Sequence, residues 1–223
     1  MKVAIAGAGA VGRSIARELL RGGHRVMLLE RELSHLDPEA IPDAIWVHAD
    51  ACELSLLEEA GMQTYEVVIA ATGDDKVNLV HSLLAKTEFG VSRVVARVND
   101  PRNEWLFDSS WGVDVAVSTP RLLASLVEEA VSVGDLVRLM TLRQGQANLV
   151  EITLPSDTAL AGKPVRSLRL PRDTALVTIL RGGRVIVPQA DDPFEGDDEL
   201  LFVASVEAEE DLRVALADHG IRP

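Results

Sequence analysis

The feature that most constrains the fold of this chain is the glycine-rich segment Gly7-Ala8-Gly9-Ala10-Val11-Gly12, which has the spacing GxGxxG. The apolar run over residues 3–6 precedes it directly and predicts a buried strand, and apolar residues at helical spacing follow over residues 10–20. Between a strand and a helix, such glycines allow a tight turn, close approach of a pyrophosphate and close packing of the helix. The segment therefore predicts a phosphate site at a helix N-terminus. The alternative is a related sheet in which the glycines serve packing alone.

A carboxylate follows the second strand pattern, which covers residues 25–29. Glu30 lies 18 residues beyond the last glycine, close to the spacing typical of an acid that binds ribose hydroxyls. A carboxylate there repels a 2′-phosphate, so we expect NAD or an adenosine nucleotide rather than NADP. Arg31 follows directly and weakens that preference.

The order of patterns along the chain predicts an α/β fold with two domains. Over residues 1–134, apolar strands alternate with helices, one of them expected at 103–111, which indicates a Rossmann-type doubly wound parallel sheet. Residues 135–223 form short strand patterns separated by turn signals, which predicts a small α+β domain with a helix at 161–168. Its strands are expected at 149–154, 175–181, 184–188 and 199–204, the middle two joined by a tight hairpin.

Further candidate site residues follow the third and fourth strand patterns or, for Arg97, lie in the fifth; the carboxyl ends of such strands line the crevice of the sheet. They are Asp50, Ala51, Thr72, Gly73, Asp74, Asn78 and Arg97. Three of them have a structural alternative. Asp50 and Asp74, the latter together with Asp75, fit the N-caps of helices, and Arg97 could pair with surface acids.

Charge and composition limit the classes of partner. The formal net charge is −13, which disfavours nucleic acid and anionic lipid. The single cysteine, Cys52, permits no intrachain disulfide, and the longest apolar runs are too short to span a bilayer. The chain enters a strand directly after Met1, so we expect a cytoplasmic protein without a signal peptide. Acids at residues 191, 192, 197 and 198 could hold a cation, but a plain acidic loop is favoured.

Several segments together resemble the RCK (KTN) domain of the TrkA and KtrA potassium-uptake proteins. The resemblance rests on residues 3–12 with Glu30, His48-Ala49-Asp50-Ala51, residues 68–79 and Arg97-Val98-Asn99-Asp100-Pro101. Residues 150–165, 176–183 and 196–200, with Pro188, are similar to the accessory domain that follows it in those proteins. One position departs from the pattern. Ala10 stands where several members carry a phosphate-binding arginine, and Arg13 lies one turn further along.

The resemblance implies a nucleotide-binding regulatory subunit that gates a membrane potassium transporter subunit of the TrkH or KtrB type. It implies NAD(H) or ATP/ADP as ligand, a homo-oligomer from dimer to ring, and attachment to the inner face of the plasma membrane through the partner. A small effector at the second domain is a further implication. We expect the stripe Leu122, Leu123, Leu126, Val127 and Ala130 to cross to a partner subunit; the alternative is packing on its own sheet.

The main alternative function is that of an NAD-dependent oxidoreductase with a small second domain. Such an enzyme needs a proton donor beside the nicotinamide. The second domain holds one histidine, His219, and no Tyr-x-x-x-Lys pair contains the single tyrosine, Tyr65. We interpret His81 as a surface or core residue rather than a catalyst, so no enzyme is expected.

Overall fold

The computed structural model describes residues 1–131, 133–142, 146–217 and 219, with the backbone alone at 128–130. Its contacts divide the chain into two compact units, Met1–Pro120 and Arg121–Pro223. The sequence placed the boundary later, at residue 134. The difference is the helix over 121–131, which clusters with the second unit in the structure.

The first unit alternates strands and helices as its pattern indicates. Its strands are β1 (Lys2–Ala6), β2 (Arg25–Glu30), β3 (Ile45–His48), β4 (Val67–Ala70), β5 (Arg93–Val98) and β6 (Val115–Ser118). Its α-helices are α1 (Ala10–Arg21), α2 (Leu54–Glu59) and α3 (Asp75–Thr87). Short 3-10 helices cover Leu33–His35, Pro38–Ala40, Met62–Thr64, Pro101–Leu106 and Ser109–Trp111.

The strands of this unit form one parallel sheet in the order β3-β2-β1-β4-β5-β6. Alternate residues of β1 enter different cores, because successive side chains of a strand point to opposite faces. Ala4 packs with Leu57 on one face, whereas Val3 and Ile5 pack with Ala16 of α1 on the other. The strand order reverses at β1, so the sheet has the doubly wound Rossmann topology that the sequence predicts.

The helix expected at 103–111 is wrong as a single element. Two 3-10 helices replace it, because the backbone is interrupted by a turn at Asp108, whose side chain accepts the Ser110 N–H at 2.9 Å. A side-chain acceptor of this kind competes with helical hydrogen bonding. Gly112 then ends the second 3-10 helix in a left-handed conformation.

The second unit is a small α+β fold, as expected. Its described elements are α4 (Thr119–Val131), which begins in the preceding unit, and β7 (Val137–Leu142), β8 (Ala147–Thr153), β9 (Thr174–Arg181), β10 (Arg184–Ile186), β11 (Glu199–Ser205) and α5 (Ala208–Ala217). The strands form an antiparallel sheet in the order β10-β9-β11-β8-β7, over a core that includes Phe194 and Phe202. The hairpin between β9 and β10 is confirmed, with Gly182 and Gly183 both at positive φ.

One local expectation in this unit fails, and one strand, β7, was not predicted. Residues 161–168 contain a 3-10 helix, Val165–Ser167, instead of the expected helix, because Gly162 takes φ +75° and Pro164 is extended. Strand β7 lacked a clear alternating pattern in the sequence. It lies at the edge of the sheet with mostly half-buried or exposed residues, and its register shifts between Arg138 and Met140.

Helix α4 leaves its apolar stripe largely open to solvent. Leu123, Leu126 and Val127 are 59%, 50% and 62% exposed, and Leu122 is 36% exposed. The side chain of Ala130 lies outside the described residues. The crossing to a partner subunit stays a prediction.

The acidic turn of the second unit is held by partners within the protein. Asp198 is fully buried and accepts two hydrogen bonds from Arg181, at 2.6 and 2.8 Å, and one from the Glu195 N–H. Asp191 pairs with Arg166, Asp192 accepts the Gln189 N–H, and Ser156 donates to Asp197. Among the described residues, no group of three or more His, Cys, Asp or Glu is placed to hold a metal ion. All four acids of this turn therefore have partners within the described part of the chain.

Removal of the buried carboxylate should destabilise the second unit. We expect Asp198→Asn to lower the free energy of unfolding by about 3 kcal/mol, because it leaves the Arg181 guanidinium without its buried counter-charge. Urea denaturation measures the change. The control is Asp191→Asn, which removes a carboxylate from an ion pair whose partners are 83% and 61% exposed and should change stability by less than about 0.5 kcal/mol. Equal effects of the two variants would contradict this account.

Candidate nucleotide-binding site

A cavity of about 570 Å³ lies at the carboxyl ends of the central strands of the first unit. Its walls come from the turn after β1, the segments after β2, β3 and β4, and one side chain of β5. The lining residues are Gly7, Gly9, Ala10, Val11, Leu29, Glu30, Arg31, Glu32, His35, Ala49, Asp50, Ala51, Ala71, Thr72, Gly73, Asp74, Val77 and Arg97. This is the crevice in which doubly wound sheets bind their ligands.

Most residues singled out in the sequence meet in this cavity. The exceptions are Ala8, Gly12 and Asn78, which do not line it. Ala8 and Asn78 instead form hydrogen bonds with the lining residues Glu30 and Thr72, and Gly12 packs against Gly7. Conversely, the candidate site residues did not include six residues that do line it, which are Leu29, Glu32, His35, Ala49, Ala71 and Val77.

Each of the three glycines of the turn is explained by a different steric requirement. Gly7 takes φ +98°, and a Cβ there would lie 2.9 Å from the Thr72 Cα. A Cβ on Gly12 would overlap the carbonyl oxygen of Gly7, so only glycine lets α1 begin this close to β1. A Cβ on Gly9 would meet nothing within 4 Å, which leaves open space where a phosphate group would approach the backbone.

The N-terminus of α1 is open to an anion. Its N-cap residue is Gly9, and no side chain caps the helix. The first turn carries no acidic residue, so the free N–H groups and the positive end of the helix dipole face the cavity uncompensated. A phosphate group is the natural partner for such an end.

Glu30 is held rigidly at the end of β2. Its Oε2 accepts the Ala8 N–H at 2.9 Å, and its Oε1 accepts the Glu32 N–H at 2.9 Å. The side chain is 11% exposed, with His35 Nδ1 at 3.9 Å from Oε1. Each carboxylate oxygen retains a further lone pair, so the group can still accept hydrogen bonds from ribose hydroxyls.

Asn78 supports the cavity without lining it. The residue is fully buried, and its Oδ1 accepts the Thr72 N–H at 2.9 Å and the Thr72 hydroxyl at 2.7 Å. Its Nδ2 donates to the Arg97 carbonyl oxygen at 2.9 Å. Asn78 therefore ties the end of β4 to the end of β5, and it positions both Thr72 and Arg97.

The two acids at the start of α3 have different roles. Asp74 caps the helix, since its side chain accepts the Lys76 N–H at 2.8 Å. Asp75 is 8% exposed and accepts the N–H groups of Asn99 and Asp100 and the Asn103 side-chain amide. Burial raises the pKa of Asp75, but these hydrogen bonds together outweigh it and hold the pKa below its ordinary value. Asp75 thus fixes the loop after β5.

Positive charge is scarce on the cavity wall. Four carboxylates line it, Glu30, Glu32, Asp50 and Asp74, against two guanidinium groups, Arg31 and Arg97. Burial raises the pKa of the neighbouring Cys52 thiol, and the negative charges of Asp50 and Asp74 raise it further. Asp50 also accepts the Cys52 N–H at 2.8 Å, but it does not cap a helix, because α2 begins at Leu54 with Glu53 as its N-cap residue.

The two arginines of the wall differ in how far they are already engaged. Arg31 lies 3.2 Å from Glu32 and 3.9 Å from Asp50, so acids surround its charge. The Nε of Arg97 is buried and has no hydrogen-bond partner among the described residues.

His81 lies in the core directly behind the cavity. Its side chain is fully buried, and Nδ1 lies 2.9 Å from the carbonyl oxygen of Ala51. A carbonyl oxygen only accepts, so Nδ1 carries the proton of the neutral ring. Burial lowers the pKa of His81 to about 4, which keeps the ring neutral near pH 7. This is the core residue that the sequence analysis favoured over a catalyst.

The parallel sheet and the glycine turn define a Rossmann-type fold. The family model for the TrkA-N domain matches residues 3–119, and the model for the TrkA-C domain matches residues 149–217. The chain therefore belongs to the TrkA family, and the resemblance noted in the sequence is confirmed. It is 72% identical over 212 residues to the Trk system potassium uptake protein TrkA of Mycobacterium tuberculosis, covering 95% of this chain and 96% of the relative.

Solved structures share the fold. The chain of the GsuK channel bound to NAD has a TM-score of 0.66 at 17% identity, and the match covers 96% of this chain and 39% of that one. The GsuK structure bound to ADP has a TM-score of 0.51 at 26% identity, covering 57% of this chain and 33% of the other. No helix among the described residues has both the length and the apolar character to cross a membrane.

The buried imidazole should make stability fall in mildly acid solution. The unfolded ring binds a proton near pH 6.5 and the folded ring only near pH 4, so the unfolded state gains protons first as the pH falls. We expect the parent to lose about 3 kcal/mol relative to a His81→Leu variant between these values. Urea denaturation across this range measures the difference, and His24→Gln is the control that should follow the parent. A difference independent of pH would refute the burial argument.

Proposed function

We propose that this chain is a nucleotide-sensing regulatory subunit of a potassium uptake system. Membership of the TrkA family supports the role in potassium transport. The cavity beside Gly9, with its uncapped helix N-terminus and the fixed carboxylate of Glu30, is the observation that supports nucleotide sensing. The chain would act in the cytoplasm, attached to the membrane through a TrkH- or KtrB-like transporter subunit.

The proposed ligand is an adenosine nucleotide, NAD(H) or ATP/ADP. Its phosphates would lie against the N-terminus of α1 and near Arg97, and its ribose hydroxyls would face Glu30. Related RCK-containing structures bound to NAD and to ADP support this class. The excess of carboxylates on the wall favours a dinucleotide with little net charge over a bare triphosphate, because each added negative charge is repelled in a partly buried site.

Regulation requires that the nucleotide bind two assembly states with different affinity. The exposed apolar stripe of α4 supports an assembly of several copies, from a dimer to a ring. A ligand that changes how the copies are arranged would pass that change to the transporter. A small effector would bind in the second unit, whose residues 149–217 match the TrkA-C domain.

An NAD-dependent oxidoreductase finds little support in the cavity. Among the described residues that line it, His35 is the one with an imidazole, and it lies beside Glu30 at the proposed ribose end. A hydride-transfer enzyme needs its proton donor at the nicotinamide instead. The buried His81 does not reach the cavity. We therefore propose that the chain catalyses no reaction on the nucleotide.

A charge placed at Gly9 should abolish binding without harming the fold. The position opens onto the cavity, so Gly9→Asp should leave the melting temperature of the free protein nearly unchanged while it repels the phosphates. A thermal-shift panel of NAD, NADH, ATP, ADP and AMP measures binding, because a ligand of the folded state raises the melting temperature. The control Ser14→Asp adds the same charge to an exposed position of α1 outside the lining and should respond like the parent. An equal ligand response of Gly9→Asp and the parent would exclude this site.

The absence of catalysis has its own test. Purified protein mixed with NAD and a panel of alcohols, or with NADH and the matching carbonyl compounds, should show no change in NADH absorbance beyond the protein-free rate. A known alcohol dehydrogenase serves as the positive control. Steady turnover that depends on the concentration of this protein would replace the regulatory proposal with the oxidoreductase.

A further inference from the structure

Arg13 joins the glycine turn to the segment between β2 and β3. From the first turns of α1, its Nε donates to the Ala8 carbonyl oxygen at 2.6 Å, and its Nη2 donates to the His35 carbonyl oxygen at 2.6 Å. Its Nη1 lies 3.4 Å from Asp37 Oδ2. All three nitrogens of the guanidinium group therefore have acceptors.

The same guanidinium group lies over an aromatic ring. Its central carbon is 5.6 Å from the centre of the Trp46 ring in β3, a distance typical of a cation–π contact. The Trp46 Nε1 donates to the Ile41 carbonyl oxygen at 3.2 Å, so the ring is itself attached to the same segment. The side chain of Arg13 is only 23% exposed. A planar fork that meets several acceptors and a ring at once is specific to arginine.

The segment over residues 31–44 supplies one wall of the cavity. Arg31, Glu32 and His35 line the cavity from it. Two side chains tie this wall to the backbone of Ala8, one through its N–H and the other through its carbonyl oxygen. Glu30 bridges the Ala8 N–H and the Glu32 N–H, while Arg13 bridges the Ala8 carbonyl oxygen and the His35 carbonyl oxygen.

We propose that Arg13 is a positioning residue that holds the 31–44 wall against the glycine turn, so that the adenosine half of the nucleotide meets a preformed site. The inference rests on the proposed function, since it assigns a role in binding that same ligand. Arg13 is not part of the cavity lining, and its donors are directed at the backbone and Asp37. Arg13 therefore acts on the ligand only through the wall. It does not take the place of the phosphate-binding arginine that several family members carry at the position of Ala10.

The proposal predicts a constant loss of affinity across ligands that share adenosine. Suppose that the 31–44 wall of Arg13→Gln adopts the parent's conformation about a tenth of the time. The Kd then rises about tenfold, and it rises by the same factor for AMP, ADP and NAD. Arg97→Gln is the contrast, because loss of a phosphate contact should grow from AMP to ADP. Isothermal titration well below the melting temperature measures each Kd. Arg17→Gln, an exposed arginine of the same helix, is the matched control and should bind like the parent.

A second readout separates positioning from general stability. Hydrogen exchange should become faster in residues 31–44 of Arg13→Gln, while β1 and β4 exchange as in the parent. Arg13→Lys retains a cation over Trp46 and one backbone bond, so its Kd should fall between those of the parent and Arg13→Gln. An unchanged Kd in Arg13→Gln, or a loss that grows with phosphate number, overturns the proposal. Failure of the parent to bind any of the three nucleotides would instead remove the proposed function.

Discussion

The contact between Gly12 and the carbonyl oxygen of Gly7 is the constraint on which the rest of the site depends. It brings the first turn of α1 directly against the end of β1, at the central strand where the order of the sheet reverses. The uncapped N-terminus of α1 consequently faces the crevice, and Gly9 presents bare backbone there. A side chain at Gly12 would push the helix away from β1, and a side chain at Gly7 would meet the backbone of Thr72 after β4.

Polar side chains fix the positions of the surrounding loops relative to that turn. Glu30 secures the wall after β2, Asn78 joins the ends of β4 and β5, and Asp75 fixes the loop after β5. Most of the hydrogen bonds of these three side chains are made with backbone atoms. The cavity is thus preformed, and the unpartnered Nε of Arg97 stands out as a donor that still lacks an acceptor among the described residues.

Local patterns in the sequence sufficed for the parallel sheet, the glycine turn and Glu30, because each depends on residues that are neighbours in the chain. Glu32 and His35 could not be foreseen, since their place on the wall arises when the 31–44 segment folds back onto Arg13 and Ala8. The spacing of Asn78 pointed to the crevice, but it could not show that the side chain turns toward Thr72 and away from the ligand space. The strand β7 was missed because an edge strand with little burial has no strong period.

The central claim is that an adenosine nucleotide binds between the N-terminus of α1 and Glu30. Amide resonances of the isotopically labelled protein, followed during titration with NAD and with ADP, test it most directly. The account predicts that the largest shifts fall on Ala8, Gly9 and Ala10 and on Glu32, whose N–H shares the Glu30 carboxylate with Ala8. Saturating shifts confined to the second unit, or none at all at millimolar nucleotide, would contradict it.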